Sequence, residues 1–345
     1  MLLGYKTGSY HGFKLGLAFQ EGHDWGIQDD DAGLTVQGGE DDARVSIDTT
    51  SLYQAYIDYT FDPSVTDTRF RLGRQKIVSP LIMNSGAFPM QDSFDALVIE
   101  NKDIANTSIR LMGIDQWNMR FGRDSDGSVT QEDKNYDETI YSLYVQNNSI
   151  DGLNIEAQWF DNGNDDPAGD PPTAPVTADA YSSGFLGLTY KIPGTSWALG
   201  AKALEADYEH RPDTGYWGVK AGTDVVGVNV QLSYTSVRYD ANFPGTLGHV
   251  PMFRSYSTGF GHETYAGLDT TTLSLGHDMG VTGLTAVLNY SDWSQSAAGI
   301  ENSGVDLDGG YELHLDLSYD IKGSGRAVHS PGSLSHGFRS GFPQR

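Results

Sequence analysis

Strict alternation of apolar and polar residues over short segments constrains the fold of this chain more than any other feature. In 153–160 (LNIEAQWF), 228–235 (VNVQLSYT) and 312–319 (ELHLDLSY), every second residue is apolar. Because successive side chains of a strand point to opposite faces, each segment predicts a strand with one apolar and one polar face. No helical stripe of comparable length competes with this pattern. The sequence therefore predicts an all-β protein.

Segments of this kind predict about 15 strands. Their expected spans are 2–7, 11–20, 52–61, 68–77, 94–101, 106–121, 138–147, 152–160, 181–191, 195–205, 215–222, 226–236, 270–278, 283–293 and 310–320. Aromatic residues recur at the ends of these segments, as in the interfacial girdles of membrane barrels.

The connections between the predicted strands alternate between short and long. The short ones lie near 8–10, 62–66, 102–105, 148–151, 193–194, 223–225 and 279–282, and the long ones at 21–51, 78–93, 122–137, 161–180, 206–214, 237–269 and 294–309. Outer-membrane barrels have short periplasmic turns and long outer loops, whereas a soluble β-sandwich has no reason to keep long connections at one end. This alternation predicts a transmembrane antiparallel β-barrel in the bacterial outer membrane.

Composition excludes several other classes of protein. The 46 acidic residues outnumber the 22 basic ones, and a net charge of −24 argues against nucleic acid as a partner. The mean hydropathy of −0.40 is compatible with a barrel, because only every second strand residue faces lipid. No apolar stretch is long enough for a transmembrane helix. The chain has no Cys and no recognised metal or catalytic motif, so we expect no metal, no cofactor and no enzymatic activity.

The long connections are acidic, for example at 29–31, 40–42, 124–137 and 161–170. Runs of acidic residues are usually solvated loops. Attraction of cations to the mouth of a pore is the functional alternative, and the sequence leaves both interpretations open.

Residues 52–94 carry a resemblance to a known family. The segment contains an aromatic strand with Ala55, Tyr56 and Asp58, a strand end Gly73-Arg74-Gln75, the pair Pro80-Leu81, and 89–94 leading into the next strand. A second match covers 250–290, where an aromatic loop leads through Ala266-Gly267 into a strand pair. In these features the chain resembles the OprD-type outer-membrane porins, which are substrate-selective channels.

The resemblance implies a barrel of about 18 strands with both termini in the periplasm. It places 78–93 and 237–269 at the positions of the third and seventh outer loops, which in the family fold inward and form the constriction. Since no signal peptide precedes the first strand and the end of the chain lacks alternation, we expect 1–322 to be a barrel domain incomplete at both ends and 323–345 to be a disordered or foreign tail. The family includes monomers and loose trimers.

Basic residues on the polar phase of the strands are the candidates for the pore lining. With Phe70 and Leu72 facing lipid, Arg69 and Arg71 point inward, and the same phase applies to Arg110, Arg120, Lys202 and Lys220. Arg74 matches the family's Gly-Arg-Gln arginine, but it has the wrong phase unless the strand bulges near Gly73. OprD-type channels carry a ladder of basic side chains on one wall. The alternative is that these residues only pair with acidic residues and brace the wall.

Candidates for the constriction follow from loop position alone. They are Asp92 and Asp95 in the third loop, and His249, Arg254 and Tyr256 in the seventh. Packing of these side chains between loop and wall is an equally open interpretation.

The sequence thus predicts a porin for passive, partly selective diffusion of small charged solutes such as carboxylates or amino acids, with outer-membrane lipid as its surroundings. The alternatives are a structural or adhesive barrel with a plugged lumen, and a barrel phospholipase, for which no His next to a Ser lies on an apolar strand phase. The solute and the preference for cations or anions stay open.

Overall fold

The computed structural model describes residues 2–22, 49–84, 90–118, 122–123, 129–130, 133–163, 180–209, 211–243, 247, 253 and 265–319. Its elements are β1 (Leu2–Lys6), β2 (Phe13–Gly22), β3 (Thr49–Thr60), β4 (Thr68–Gln75), β5 (Ser93–Asn101), β6 (Thr107–Asn118), β7 (Gly122–Arg123), β8 (Val129–Thr130), β9 (Asp133–Ile150), β10 (Leu153–Asn162), β11 (Tyr181–Lys191), β12 (Ala198–Tyr208), β13 (Thr214–Val225), β14 (Val228–Val237), β15 (Leu268–Asp278), β16 (Leu284–Gln295), α1 (Ala297–Ser303) and β17 (Tyr311–Tyr319).

Fifteen of these strands form a single sheet in the order β1-β2-β3-β4-β5-β6-β9-β10-β11-β12-β13-β14-β15-β16-β17. Neighbours in the sheet follow one another along the chain and pair in antiparallel orientation, as in β1–β2 and β12–β13. Among the described residues the sheet is open, with β1 and β17 as its end strands. The predicted all-β antiparallel fold and strand number are confirmed.

The predicted alternation of short and long connections is confirmed except at 206–214, where β12 and β13 extend into the predicted long loop and leave only 209–213 between them. Short turns occupy 7–12, 61–67, 102–106, 151–152, 192–197, 226–227 and 279–283. Six of the seven are followed along the chain by a longer connection, whereas the six-residue turn 192–197 is followed by the five-residue connection 209–213. The shortest turns need left-handed backbone: Val226 and Gly227, between β13 and β14, have φ of 50° and 80°. This is the geometry of a type I′ hairpin turn, whose twist matches that of the flanking strands.

Three local features were not predicted. β9 begins at Asp133, several residues before the expected start, and a small ribbon of β7 and β8 lies within the connection that precedes it. The connection after β16 contains α1, whose N-cap Ser296 accepts a 3.0 Å hydrogen bond from the Gly299 N–H. Within the described part of the chain, no helix is long and apolar enough to cross a membrane.

In a soluble protein the polar face of a strand is exposed and the apolar face is buried, but in this structure the apolar residues of the strands are exposed and the polar ones are buried. In β3, Ile57 is 51% exposed and its neighbour Asp58 only 5%; in β14, Leu232 is 55% exposed and Ser233 only 3%. The same face of the other strands carries further exposed apolar residues, including Leu15, Leu72, Leu97, Leu111, Leu143, Leu186, Leu199, Val219, Leu273, Leu288 and Leu317. We call this the apolar face and the opposite one the polar face. Exposed apolar surface on this scale requires an apolar environment.

The chain divides into two compact units. The first comprises 1–147, 158–182 and 245–251, and the second comprises 148–157, 183–244 and 252–345. The predicted limit of the barrel domain at residue 322 and the predicted tail 323–345 fall outside the described residues, so both stay predictions.

Candidate functional site: the polar face and its basic groups

The first part of the long connection 76–92 lies against the polar face of the strands, where Gln158 of β10 binds it. The Leu81 N–H donates a 2.8 Å hydrogen bond to Gln158 Oε1, and Gln158 Nε2 donates 3.0 Å bonds to Ser79 Oγ and Ser142 Oγ. Gln158 is buried, while its neighbour Trp159 is exposed on the apolar face. The polar face thus supplies the partners that the backbone of this connection requires.

A second glutamine holds the end of the same connection. Gln20 of β2 donates a 2.8 Å bond to Gln91 O and accepts a 2.9 Å bond from the Gln91 N–H. Its side-chain amide thus makes the same pair of hydrogen bonds with Gln91 that the backbone of an adjacent strand would make. Gln91 Oε1 in turn accepts bonds of 2.8 Å from the Tyr53 hydroxyl and 2.9 Å from Asn84 Nδ2. Both ends of the connection are therefore fixed to wall strands of the first unit.

The observed connections 76–92 and 238–267 correspond to 78–93 and 237–269, the segments that the resemblance assigns to the constriction, and they contact each other in the first unit. Leu247 pairs with Ile82 in a parallel bridge. The Met83 N–H donates a 2.9 Å bond to Leu247 O, and the Leu247 N–H donates a 3.1 Å bond to Leu81 O. These backbone bonds fix part of the later connection against the earlier one.

Asp58 of β3 binds two arginines of β4 on the polar face. Its Oδ1 lies 2.9 Å from Arg69 Nε, and its Oδ2 lies 2.6 Å from Arg71 Nη2. The Arg71 guanidinium also stacks on the Tyr56 ring, 4.0 Å from its centroid. One buried carboxylate thus compensates two guanidinium groups and leaves one positive charge in excess.

The Tyr56 ring reaches this position because it lies on a glycine. A Cβ atom at Gly16, the neighbour of Tyr56 in the β2–β3 register, would be 2.3 Å from Tyr56 Cζ. Only a residue without a side chain leaves room for the ring at this point of β2.

Glu100 of β5 connects Arg69 to Arg110 of β6. Its carboxylate lies 3.6 Å from Arg69 Nη1, 3.9 Å from Arg110 Nε and 3.2 Å from Lys102 Nζ. Arg110 also donates a 2.8 Å bond to Val78 O, at the start of the connection 76–92. We call Arg69, Arg71 and Arg110, with Asp58 and Glu100, the arginine group.

Lys202 of β12 and Lys220 of β13 form a second basic group, in the second unit. Their Nζ atoms lie 4.8 Å and 5.0 Å from the centroid of the Phe253 ring, which belongs to the connection 238–267. Neither lysine forms an ion pair with a described carboxylate, and Glu156 acts on Lys202 only at longer range. We call Lys202, Lys220 and Phe253 the lysine group.

The predicted residues Arg74 and Asp95 are separate from both groups. β4 pairs with β3 and β5 without a register shift through Gly73 and Arg74, so Arg74 keeps the phase of Leu72 on the apolar face. There it forms a bidentate ion pair with Asp95, with distances of 2.9 Å and 3.0 Å. The bulge that would have turned Arg74 inward is absent from the described β4. Asp95 lies within β5 and not in the loop.

The remaining predicted residues divide into two sets. Asp92 is buried, at 1% exposure, immediately before β5. Arg120, His249, Arg254 and Tyr256 lie outside the described residues. Within the described ranges, no cluster of three or more His, Asp or Glu side chains could hold a metal ion.

Sequence reasoning missed four residues that organise the polar face. Glu100 and Phe253 hold the basic groups, and Gln20 and Gln158 anchor the connection 76–92. Glu100 and the two glutamines have the polar phase of their strands, which was the available signal. Phase alone does not say which of many polar residues pair with one another. Phe253 lies in a long connection, where no periodicity places it.

Comparison of the structure with solved structures identifies the fold. The chain matches the crystal structure of Pseudomonas aeruginosa OccD3 (OpdP) with a TM-score of 0.68 and 15% identity, covering 94% of this chain and 76% of that one. It matches Pseudomonas aeruginosa OccK8 (OprE) with a TM-score of 0.66 and 12% identity over 94% and 84% of the two chains. The corresponding values for Pseudomonas aeruginosa OccK9 (OpdG) are 0.66, 14%, 94% and 81%.

No protein-family model matches the chain, and no curated protein matches its sequence. At such low identity the solved structures show the fold and not the activity. The resemblance expected from the sequence is confirmed at that level. The chain has the fold of the OprD-type outer-membrane β-barrel porins.

Proposed function

We propose that this protein is a porin of the bacterial outer membrane, through which small charged solutes diffuse passively along the polar faces of its strands. The observation that carries the proposal is the exposure of the apolar face together with a polar face on which the connection 76–92 is anchored. A lipid-facing surface outside and a polar lumen narrowed by loops are the two requirements of such a channel.

The apolar face fits a lipid environment at its ends as well as in its middle. At the short-turn end, a chain of aromatic contacts joins Phe13, Tyr59, Phe61 and Phe70, with ring centroids 4.6 Å, 4.9 Å and 5.6 Å apart. In the second unit, Trp217 and Tyr234 lie 5.3 Å apart on β13 and β14. Aromatic side chains of this kind are enriched where lipid headgroups meet water.

The arginine group favours small anions or zwitterions among the possible solutes. Asp58 and Glu100 are close to four cationic side chains, the three arginines and Lys102, which leaves a positive excess on this part of the polar face. A lining of this charge attracts solute groups such as carboxylates and repels free cations. Carboxylates and amino acids are accordingly the solute classes that we propose.

The connections 76–92 and 238–267 are proposed to form the constriction. Their backbone contact through Leu247 and the bond from Arg110 to Val78 O place loop and basic side chains next to each other in the first unit. In this arrangement the loop sets the width of the path and the arginines set its charge. Transport of this kind is diffusion, and it requires no catalytic residue.

The test is single-channel recording in planar bilayers, with the protein purified from the outer membrane of the cells that produce it. We expect discrete conductance steps, and a reversal potential in a KCl gradient that shifts towards cations when Arg69, Arg71 and Arg110 are all changed to Gln. A folded, heat-modifiable protein that gives no conductance would contradict the porin function and favour a plugged structural barrel.

A further inference from the structure

We propose that Phe253 is a specificity-determining residue, which covers Lys202 and Lys220 and withholds their charges from passing solutes. The proposal rests on the proposed porin function and deepens it. The lysines have the same polar-face phase as the arginines, but in the structure they contact an aromatic ring and no carboxylate within ion-pair distance among the described residues. The ring is therefore the group that controls access to them.

Two glycines form the floor on which the Phe253 ring lies. In the β12–β13 register, Gly200 is opposite Lys220 and Lys202 is opposite Gly218, so glycines and lysines occupy the corners of a small square. A Cβ atom at Gly200 would be 3.2 Å from Phe253 Cζ, and one at Gly218 would be 3.1 Å from Phe253 Cδ2. The ring fills the space above both glycines and is buried, with 8% of its surface exposed.

The Phe253 ring and the lysines beneath it belong to different kinds of segment. Phe253 belongs to the connection 238–267, whereas both lysines belong to strands held by a continuous ladder of backbone pairs. A cation attracted to an aromatic face is held weakly and without directional hydrogen bonds. Removal of the ring would therefore leave both lysines in place and expose their ammonium groups to the water of the lumen.

The consequence is conditional selectivity. With the ring in place, the lysines contribute little to the preference for anions, although they carry two of the positive charges on the polar face. Without the ring, they form a second anion-attracting site in the second unit. An uncovered unit charge at roughly 5 Å from a permeating ion in water changes the local ion concentration by about fourfold.

The experiment compares reversal potentials in a KCl gradient for the wild type, Phe253→Ala, the pair Lys202→Gln/Lys220→Gln, and the combination of all three changes. We expect the lysine pair alone to leave the anion-to-cation permeability ratio within about 1.5-fold of the wild type, and Phe253→Ala to raise it by at least about fourfold, since two charges are uncovered. The triple variant should return to the wild-type ratio. Phe253→Leu, which keeps an apolar cover, is the matched control and should stay near the wild type.

Two results would overturn the proposal. One is a lysine-pair effect that is equally large with and without Phe253, since the charges would then be accessible beneath the ring. The other is a Phe253→Ala channel with larger conductance but unchanged selectivity, since the ring would then act only by its size. Absence of conductance in the wild type itself would count against the porin function and not specifically against the role of Phe253.

Discussion

The arginine group of the first unit and the lysine group of the second carry the same sign of charge on the same kind of surface, but they are held in different ways. Each group has an aromatic ring above glycine, Tyr56 over Gly16 and Phe253 over Gly200 and Gly218. In the arginine group the ring comes from a wall strand and carboxylates share the charge. In the lysine group the ring comes from a long connection.

On the proposed pore wall, the difference corresponds to two ways of placing cations. Guanidinium groups bound to Asp58 and Glu100 keep fixed positions, and the charge of the group is set by the ratio of cations to carboxylates. The ammonium groups of the lysine group have no carboxylate partner at ion-pair distance among the described residues, and in our proposal their access to solute depends on Phe253. In the proposed channel, we expect the first arrangement to give selectivity that is fixed by the wall, and the second to give selectivity that depends on Phe253.

The largest effect is expected from Asp58→Asn, which removes the carboxylate between Arg69 and Arg71. The anion-to-cation permeability ratio should rise by more than fourfold, because a full charge is lost at contact distance from two guanidinium groups. Reversal potentials in a KCl gradient measure the change. Asp95→Asn is the matched control: it breaks an ion pair of similar geometry, Arg74–Asp95, but on the apolar face, and should leave the ratio unchanged. An equal shift in both variants would contradict the assignment of the two faces.

A smaller shift in the same direction is expected from Glu100→Gln, about two- to fourfold. Glu100 is shared among Arg69, Arg110 and Lys102 at distances of 3.2–3.9 Å, longer than those of Asp58, and its side chain is 19% exposed against 7% for Asp58. Water therefore screens its charge more strongly. The same recordings test this order, and a shift larger than that of Asp58→Asn would show that Glu100 is the dominant counter-charge.

Gly200→Ala should shift the selectivity less again, by about twofold, through partial displacement of Phe253. The added methyl group would meet only side chains, Lys220 Cγ at 2.8 Å and Phe253 Cζ at 3.2 Å, so the strand itself is not disturbed. Gly276→Ala is the control, because a Cβ there has no neighbour closer than 3.6 Å. Equal permeability ratios in Gly200→Ala and Gly276→Ala would contradict the proposed role of Phe253.

The smallest effect concerns a short turn and not the pore. Asp103 accepts bonds from Thr66 Oγ1 at 2.6 Å, Asn101 Nδ2 at 2.8 Å and the Asp67 N–H at 2.6 Å, and these bonds lower the pKa of its carboxyl group, those from Thr66 and Asn101 most. A lowered pKa means that the ionised side chain stabilises the folded turn above the ordinary pKa of an aspartate. This contribution is lost as the pH falls through the lower, folded value.

Hydrogen exchange of the amides at 61–67 and 102–106 measures this contribution. Asp103→Asn should speed exchange by a few-fold at neutral pH, and the difference from the wild type should shrink as the pH falls below the ordinary aspartate pKa. Lack of any pH dependence in that difference would show that the charge of Asp103 is unimportant. Ser64→Ala, within the first of these turns, is a control whose effect does not require a change in the ionisation of Asp103.

Alternation and connection length were sufficient to predict the sheet, because a strand with one apolar face has only one way to meet lipid. The strand β11 was predicted with its observed bounds, 181–191. The phases of Arg69, Arg71 and Arg110 were predicted for the same reason. Their partners were not, because pairing depends on register. A bulge at Tyr53 in β3 puts Tyr53 and Tyr56 both in buried positions, although they are three positions apart and would otherwise face opposite sides of the sheet.

Features of the long connections could not be predicted from the sequence. Phe253 and Leu247 are fixed by contacts with residues far away in the chain, Gly200 and Ile82, and no local pattern encodes such contacts. The short helix α1 is stabilised by its caps, Ser296 and Gly304, within a segment too short for a periodic stripe. The resemblance to a family indicated which connections matter, but the residues that anchor them required the structure.

The central claim is that the polar face lines a water-filled path and the apolar face meets lipid. Because the chain has no cysteine, single-cysteine variants at two neighbouring positions of β14 test it directly: Gln231→Cys on the polar face and Leu232→Cys on the apolar face. Single-channel current is recorded before and after addition of a charged, membrane-impermeant thiol reagent. The account predicts a lasting change in current for Gln231→Cys and none for Leu232→Cys. A change confined to Leu232→Cys would contradict it.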